Sequence, residues 1–275
     1  MKPQDVLQHP TNVLTEAQRQ RFFDEGYLVQ PNYVPEPWLA RLRAAMAELL
    51  ERSRAIRESD SIYILEEGHS ASDPRLHRIS SPQDQHPVFW EFMTDPVMTD
   101  LAADVVGPDV KFHHAKLNVK SGKGTQGFGW HQDIPAWPHT DYSPVTIGIY
   151  IDGCTPEQGP LTVAKASHAG PLFSMYDEDR NFVVKIKEKD LGPGQEVHPP
   201  RRHEFFHTAA RPEVRSCPSH RFGAFEGAAS AVKGRRAAFA RIRVSKVSED
   251  GREGGWPSAT ARPPRAVAAV AATGS

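Results

Sequence analysis

Two pairs of side chains with a His-x-Asp spacing lie close together in the chain, His131 with Asp133 and His139 with Asp141. Residues two apart on an extended segment point to the same side, so an imidazole and a carboxylate at this spacing can bind one metal ion together. They supply two of the three ligands of a 2-His-1-carboxylate site, which leaves positions on Fe(II) open for a co-substrate and O2. The first pair follows a predicted strand and the glycine-rich stretch 121–129, whereas a surface turn between prolines explains the second pair adequately. We therefore predict His131 and Asp133 as metal ligands.

The N-terminal part of the chain favours helices. Thr15 followed by Gln18 is a capping box, which predicts a helix that ends at Gly26 and a strand directly after it. Prolines then begin a longer helix, whose apolar residues recur at helical spacing. These residues are Leu39, Leu42, Met46, Leu49 and Leu50. We interpret this stripe as core packing.

Further along, the pattern changes from helices to short strands. A polar, irregular segment over 60–85 and two short helices over 87–93 and 96–106 are expected first. The predicted strands after them are 110–119, 145–151, 161–166 and 182–186, separated by Gly, Pro, Asp and Ser. Helices followed by strands favour an α+β fold whose main body is a β-sandwich or barrel.

Composition excludes several classes of protein. The chain has 275 residues and a formal net charge of −1, which gives no whole-chain argument for nucleic-acid binding. With only 2 cysteines, neither a disulfide scaffold nor a four-cysteine zinc site is possible. There is no apolar run long enough for a membrane span, and the first residues lack the apolar core of a signal peptide. The expected location is the cytoplasm, and the expected partner is a small molecule.

The balanced total charge hides a difference between two parts of the chain. Residues 1–198 carry 19 Lys and Arg against 28 Asp and Glu, whereas residues 199–275 carry 14 against 6. The end of the basic part has few large apolar side chains, so we predict a disordered basic tail over 248–275. Residues 1–247 then form one predicted domain.

A series of short motifs resembles the phytanoyl-CoA dioxygenase family of non-haem iron, 2-oxoglutarate-dependent oxygenases. The motifs are Lys116-Leu117-Asn118-x-Lys120, Trp130-His131-Gln132-Asp133, Gln158-Gly159-Pro160-Leu161 and Ser167-His168-x-Gly170-Pro171. The resemblance runs from about residue 13 to about residue 195. It implies a double-stranded β-helix, a cupin-like jelly roll, with N-terminal helices packed outside. It also implies Fe(II), 2-oxoglutarate and O2 as reactants in the hydroxylation of a small-molecule C–H bond.

The resemblance implies roles for several further residues. Lys116, Asn118 and Tyr150 match positions that line the family's 2-oxoglutarate pocket, although ordinary strand alternation explains them equally well. His168 matches a position that is structural in the family. Asp133 stands where halogenating relatives carry a small residue, which favours hydroxylation over halogenation.

The third iron ligand is the point at which the sequence departs from the family. Relatives carry a second iron-binding His that is followed by Gly-Ser and shortly afterwards by an Asn. An Arg that binds the distal carboxylate of 2-oxoglutarate comes later in their chains. The motif His-Gly-Ser-x-x-Asn does not occur in this sequence. The candidates are His198, His203, His207 and His220. His220 has the best spacing from His131, and Arg235 could then supply the guanidinium for the carboxylate. His207 is the second choice.

This departure leaves alternatives open. The resemblance is lost near residue 199, where the charge also changes, so residues 199–275 could be an out-of-frame product that lacks the third ligand. The chain would then be a non-catalytic or truncated relative without a complete iron site. Other metal-using jelly rolls, such as isomerases or dioxygenases that need no 2-oxoglutarate, are a further alternative. Oligomeric state has no signature in the sequence.

Overall fold

A computed structural model describes most of the first 186 residues and selected strands beyond them. The described residues are 3–120, 130–133, 135, 144–152, 161–164, 166–186, 196–197, 203–208, 213–216 and 237–246. All of the described helices lie in the N-terminal part. They are α1 (Pro3–Leu7), α2 (Glu16–Glu25), α3 (Glu36–Ser53), α4 (Pro82–Gln85), α5 (Pro87–Thr94) and α6 (Pro96–Val106).

Local capping explains where the helices begin and end. At α2 the Thr15 hydroxyl accepts from the Gln18 N–H at 3.2 Å, while the Gln18 side chain accepts from the Thr15 N–H at 2.8 Å. The same helix ends at Gly26, whose φ of +79° is readily adopted by glycine. At α6 the Asp95 carboxylate caps the Val97 N–H at 2.9 Å. The predicted capping box and the helices over 87–93 and 96–106 are confirmed.

The strands form two antiparallel sheets. They are β1 (Tyr27–Pro31), β2 (Tyr63–Leu65), β3 (Leu76–Ser80), β4 (Val110–Lys120), β5 (His131–Gln132), β6 (Val145–Tyr150), β7 (Leu161–Ala164), β8 (Glu196–Val197), β9 (His203–Thr208), β10 (Glu213–Ser216) and β11 (Ala237–Lys246). The large sheet has the order β1-β9-β6-β11-β4-β3-β2, and the small sheet has the order β5-β10-β7-β8. Helices together with antiparallel sheets confirm the predicted α+β class.

The two faces of the large sheet have different roles. On β4 the alternating residues Ala115, Leu117 and Val119 are buried in one core with side chains of α3, α5 and α6. Alternate residues of β6 join the same core. The core includes the apolar stripe of α3, with Leu42 and Leu49 fully buried. Strand alternation therefore places the intervening residues of β4 and β6 on the other face of the sheet.

A cluster of buried polar groups, which we call the N-terminal clasp, fixes the chain start to α6. The clasp consists of Arg19, Asp104 and segment 12–14. Arg19, only 1% exposed, donates from Nε to the Asp104 carbonyl and from a terminal nitrogen to the His9 carbonyl, both at 2.8 Å. The Asp104 carboxylate accepts from the backbone N–H groups of all three residues of the segment. These bonds position the beginning of α2 against α6.

Two expectations from the sequence are wrong. Segment 60–85 is not irregular throughout, since β2, β3 and α4 lie within it. Its strands form the edge of the large sheet, where Arg78 is in register with Asn118 on β4. The predicted strand over 182–186 is reduced to a single bridge between Phe182 and Tyr176.

None of the described helices has the length and apolarity needed to span a bilayer.

Candidate metal site

His131 and Asp133 lie between the two sheets, at the edge strand of the small sheet. His131 begins β5, and Asp133 directly follows that strand. Each side chain is 1% exposed, and His131 Nε2 lies 3.6 Å from Asp133 Oδ1. The imidazole and the carboxylate converge on one side of the strand, as predicted from their spacing.

The large sheet contributes polar groups to the same interior. The Thr146 hydroxyl on β6 donates to Asp133 Oδ2 at 3.4 Å. Tyr150 lies four residues after Thr146 on the same face of β6. Its hydroxyl accepts a hydrogen bond from the Leu161 N–H of β7 at 3.0 Å. Tyr150 also packs against Leu161, Val163 and Tyr27. These contacts join the two sheets and define the space between them.

Lys116 and Asn118 are on the interior face of β4, opposite to its helix-packed residues. In the large sheet Asn118 and Tyr150 are both in register with Phe239 of β11, which places them on strands flanking β11 at one level. Lys116 is likewise in register with Arg241, and so is Gly148. The structure therefore brings the predicted residues Lys116, Asn118 and Tyr150 to one face of one sheet.

The remaining predicted site residues are placed only in part. His220 and Arg235, together with His139, Asp141 and His198, lie outside the described residues. The backbone of His207 on β9 is in register with Thr146, and that of His203 with Pro31. On β10, which pairs directly with β5, Val214 is opposite His131. Within the described part of the chain, no set of three or more His, Cys, Asp or Glu side chains is arranged to hold a metal ion.

Segment 171–186, which we call the strap, lies on the side of β5 away from the metal pair. It is tied to β5 by the Gln132 side chain, whose Nε2 donates to the Pro171 carbonyl at 2.9 Å and whose Oε1 accepts from the Phe173 N–H at 2.8 Å. The Ile186 N–H adds a bond of 2.7 Å to the Trp130 carbonyl. Trp130 also packs with Met175 and Ile186.

His168 anchors the chain just before the strap. Its Nε2 lies 2.8 Å from the Phe23 carbonyl, which fits donation by an Nε2–H tautomer, and the Ala166 N–H donates to the Glu25 carbonyl at 2.8 Å. The ring lies so close to Gly26 that a Cβ there would be 2.7 Å from His168 Cγ. His168 is thus a packed, hydrogen-bonded residue, in agreement with the structural role that the resemblance implied.

Sequence reasoning missed the roles of two buried polar residues, Gln132 beside the metal pair and Asp104 among the helices. Gln132 was part of a quoted motif, but nothing in its spacing revealed the strap as its partner. Asp104 carried a usable signal, because it is an acidic residue between buried residues of an apolar helix. An acidic residue on a buried helical face predicts a hydrogen-bonded cluster.

The described residues thus combine a two-sheet α+β fold with a buried His-x-Asp pair. The chain belongs to the family described as phytanoyl-CoA dioxygenase (PhyH), whose model matches residues 22–200. This match confirms the resemblance to the family that the sequence motifs indicated. The match ends close to residue 199, where the charge of the chain changes.

Individual relatives are more distant. An ectoine dioxygenase from Sphingopyxis alaskensis is 26% identical over 187 residues, which are 65% of this chain and 58% of the relative. An L-proline trans-4-hydroxylase from Streptomyces griseoviridis is 30% identical over 155 residues, 54% of either chain. The chain thus spans just over half the length of these curated relatives.

Solved structures resemble the chain over a larger share. The crystal structure of EctD from S. alaskensis with bound Fe has a TM-score of 0.65 at 21% identity, covering 87% of this chain and 80% of that one. The same protein with 2-oxoglutarate and 5-hydroxyectoine gives a TM-score of 0.63 at 20% identity, covering 87% and 79%. At this identity the likeness establishes a shared fold.

Proposed function

We propose that the chain is an Fe(II)/2-oxoglutarate-dependent oxygenase that hydroxylates a C–H bond of a small molecule. The single observation that carries this proposal is the convergence of His131 and Asp133, both 1% exposed, between the two sheets. A buried imidazole beside a buried carboxylate fits Fe(II), which accepts nitrogen and oxygen ligands together. Burying two such polar groups is costly unless they are paired or bind a metal.

The proposed fold is a double-stranded β-helix with the N-terminal helices packed outside. Its support is the strand order, since the eight strands from β4 to β11 divide into β9-β6-β11-β4 and β5-β10-β7-β8. Such a division is that of a double-sheet jelly roll. The metal pair then lies inside the roll and the large apolar core lies outside it.

Iron bound by His131 and Asp133 would supply the activation of O2, coupled to the decarboxylation of 2-oxoglutarate to succinate. The chain's own residues would hold the reactants and exclude water. Lys116, Asn118 and Tyr150 are the proposed 2-oxoglutarate contacts on the interior face. The Tyr150 hydroxyl accepts a hydrogen bond from the Leu161 N–H of β7 at 3.0 Å, which holds this side chain between the two sheets.

The cation for the distal carboxylate of 2-oxoglutarate is a separate proposal. Arg235 was chosen from the sequence, and it directly precedes the β11 region. Arg241 is a second candidate, because its backbone is in register with Lys116 on β4 and with Gly148 on β6. A guanidinium suits this role since it can bind a carboxylate with two parallel hydrogen bonds.

For the third iron ligand we propose His220, with His207 as the alternative. His220 rests on its spacing from His131. His207 is supported by register, because its backbone lies alongside that of Thr146, whose hydroxyl contacts Asp133. Separate His207→Ala and His220→Ala variants distinguish them, since the true ligand's removal weakens Co(II) binding and the other's removal leaves it unchanged.

The substrate class is supported by the relatives, whose names specify ectoine and L-proline, both small molecules. That the chain binds neither nucleic acid nor a membrane stays a prediction from the sequence. A cytoplasmic location and the domain boundary near residue 247 remain predictions.

The test of the proposed function is succinate formation from 2-oxoglutarate in the presence of Fe(II) and O2. The expected result is turnover by the parent protein and its loss in Asp133→Ala. Asp179→Ala, which removes an exposed aspartate of the strap, is the matched control and should keep parent activity. Continued turnover in Asp133→Ala would remove this carboxylate from the metal site.

The alternative is a non-catalytic or frameshifted relative without a complete iron site. It is favoured by the end of the family match at residue 200, close to the change in charge. Anaerobic addition of Fe(II) and 2-oxoglutarate separates the two cases, because joint binding gives a visible charge-transfer absorption. Its absence in the parent, with His131→Ala behaving identically, favours the alternative, and sequencing the coding DNA tests the frameshift.

A further inference from the structure

We infer that Gln132 is a positioning residue, which couples the strap to the metal pair. The inference rests on the proposed function, since it concerns how His131 and Asp133 are held toward a metal ion. Gln132 lies between these two residues in the chain, and strand alternation directs its side chain to the opposite side of β5. It is fully buried there.

Both polar ends of the Gln132 side chain are used by the strap. Its Nε2 donates to the Pro171 carbonyl at 2.9 Å, and its Oε1 accepts from the Phe173 N–H at 2.8 Å. The Gln132 backbone N–H also lies 3.4 Å from Met175 Sδ, within reach of a weak hydrogen bond. The Gln132 amide thus donates one hydrogen bond to the strap backbone and accepts another from it. These two bonds fix the orientation of β5 relative to the strap.

This orientation matters because β5 is very short. It has two residues, and its described strand neighbour is β10, paired at His131 and Gln132. So short a ladder leaves the twist of the strand poorly determined, and the twist sets the directions in which His131 and Asp133 point. The strap supplies the missing restraint through Gln132 and through the Ile186 bond to the Trp130 carbonyl.

The strap is anchored just before its first residue and is folded within itself. Before it, His168 holds the Phe23 carbonyl at 2.8 Å. Within it, the Val183 N–H donates to the Met175 carbonyl at 3.0 Å, and Asp177 and Asn181 bond to each other. Gln132 is therefore held by a folded segment. This segment connects the α2–β1 turn to the strand that carries the metal pair.

The experiment measures Co(II) binding by the full-length protein in the parent and in Gln132→Met, which keeps the side-chain length but lacks the amide. Partners that orient metal ligands typically change metal affinity about 10–100-fold, and the Kd for Co(II) is expected to rise by about that factor. The visible spectrum of bound Co(II), which reports ligand geometry, is expected to change with it. Asp179→Ala is the matched control, because it changes an exposed side chain of the same strap that takes no part in these bonds, and it should leave the Kd unchanged.

A second measurement on the parent alone does not depend on the folding of a variant. Coupling between two sites is reciprocal, so Co(II) binding should slow amide hydrogen exchange in peptides covering 171–186. Unchanged exchange in the strap, or an equal Kd and spectrum in Gln132→Met, would overturn the inference while leaving the metal site intact. Failure of the parent to bind Co(II) would instead overturn the proposed function on which the inference rests.

Discussion

Two buried aspartates, on opposite sides of the large sheet, are surrounded in very different ways. Asp104 lies among the helices and Asp133 between the sheets, and each is 1% exposed. Asp104 accepts hydrogen bonds of 2.7–3.0 Å from the backbone N–H groups of Asn12, Val13 and Leu14 and from the Asn12 side chain. Asp133 has the Thr146 hydroxyl at 3.4 Å and the His131 imidazole at 3.6 Å.

The difference is the one expected between a structural carboxylate and the metal ligand that we propose. A carboxylate encircled by backbone donors stabilises the backbone that donates to it, and its charge is balanced by those dipoles. A carboxylate beside an imidazole, with longer contacts, is arranged to share a metal ion. Burial by itself therefore does not identify a functional acid; the kind and distance of the surrounding groups do.

The largest effect on stability is expected from Asp104→Ala. The substitution leaves the buried N–H groups of segment 12–14 without their acceptor, and it leaves the Arg19 guanidinium in a cluster without a carboxylate. We expect the free energy of unfolding to fall by about 2–4 kcal/mol. Urea denaturation of the parent and the variant measures the change.

Co(II) binding sharpens the same comparison. Asp104→Ala should still be stabilised by Co(II), whereas Asp133→Ala should show no such stabilisation, because only the latter removes a proposed ligand. A loss of the Co(II) response in Asp104→Ala, or a stability change below about 1 kcal/mol, would contradict the division into structural and ligand carboxylates.

A smaller effect is expected at Gly26, where the helical region meets the chain that leads to the strap. Gly26→Ala must adopt a φ of +79° and also displace the His168 ring. The backbone conformation alone costs about 1–3 kcal/mol. The matched control is the same substitution in a His168→Ala background, because the backbone conformation of Gly26 is then unchanged and the ring that an added Cβ would meet is removed.

The difference between the costs of Gly26→Ala in the two backgrounds isolates the contact with His168. Thermal or urea unfolding should show that the substitution costs more stability in the parent than in His168→Ala. If it costs the same in both backgrounds, the ring moves away freely and His168 does not anchor the strap firmly.

The smallest effect concerns Asp60, an exposed carboxylate that contrasts with both buried ones. The pKa of the Asp60 carboxyl lies below its ordinary value, because the backbone N–H groups of Tyr63 and Ile62 donate to Oδ1. Its contribution to stability is therefore present above the unfolded pKa of about 3.9 and is lost as the pH falls through the lower folded pKa. Urea denaturation should show Asp60→Ala to be slightly less stable than the parent at neutral pH, with the difference shrinking in acid; a difference that grows in acid would contradict this account.

Features set by short stretches of sequence were predictable. The Thr15–Gln18 capping box, the apolar stripe of α3 and the alternation of β4 each depend on residues a few positions apart. The convergence of His131 and Asp133 belongs to the same group, since a spacing of two on extended backbone is sufficient.

Features set by distant partners were not predictable. Strands β2 and β3 lie in a polar segment that lacks clear alternation. They form because the edge of β4 offers hydrogen-bond partners to β3, and β3 in turn offers them to β2. The four bonds that Asp104 accepts join positions about 90 residues apart. No local pattern encodes such a pairing.

By itself, the sequence determined the class of fold, the boundaries of α2, α5 and α6 and the two side chains most suited to a metal, because each follows from local spacing and backbone preference. The tertiary structure alone decided which face of the large sheet became the core, which aspartate was encircled by donors and which segment oriented Gln132. Those outcomes depend on packing between elements far apart in the chain, where the free energy of burial selects one arrangement among many that the local pattern permits.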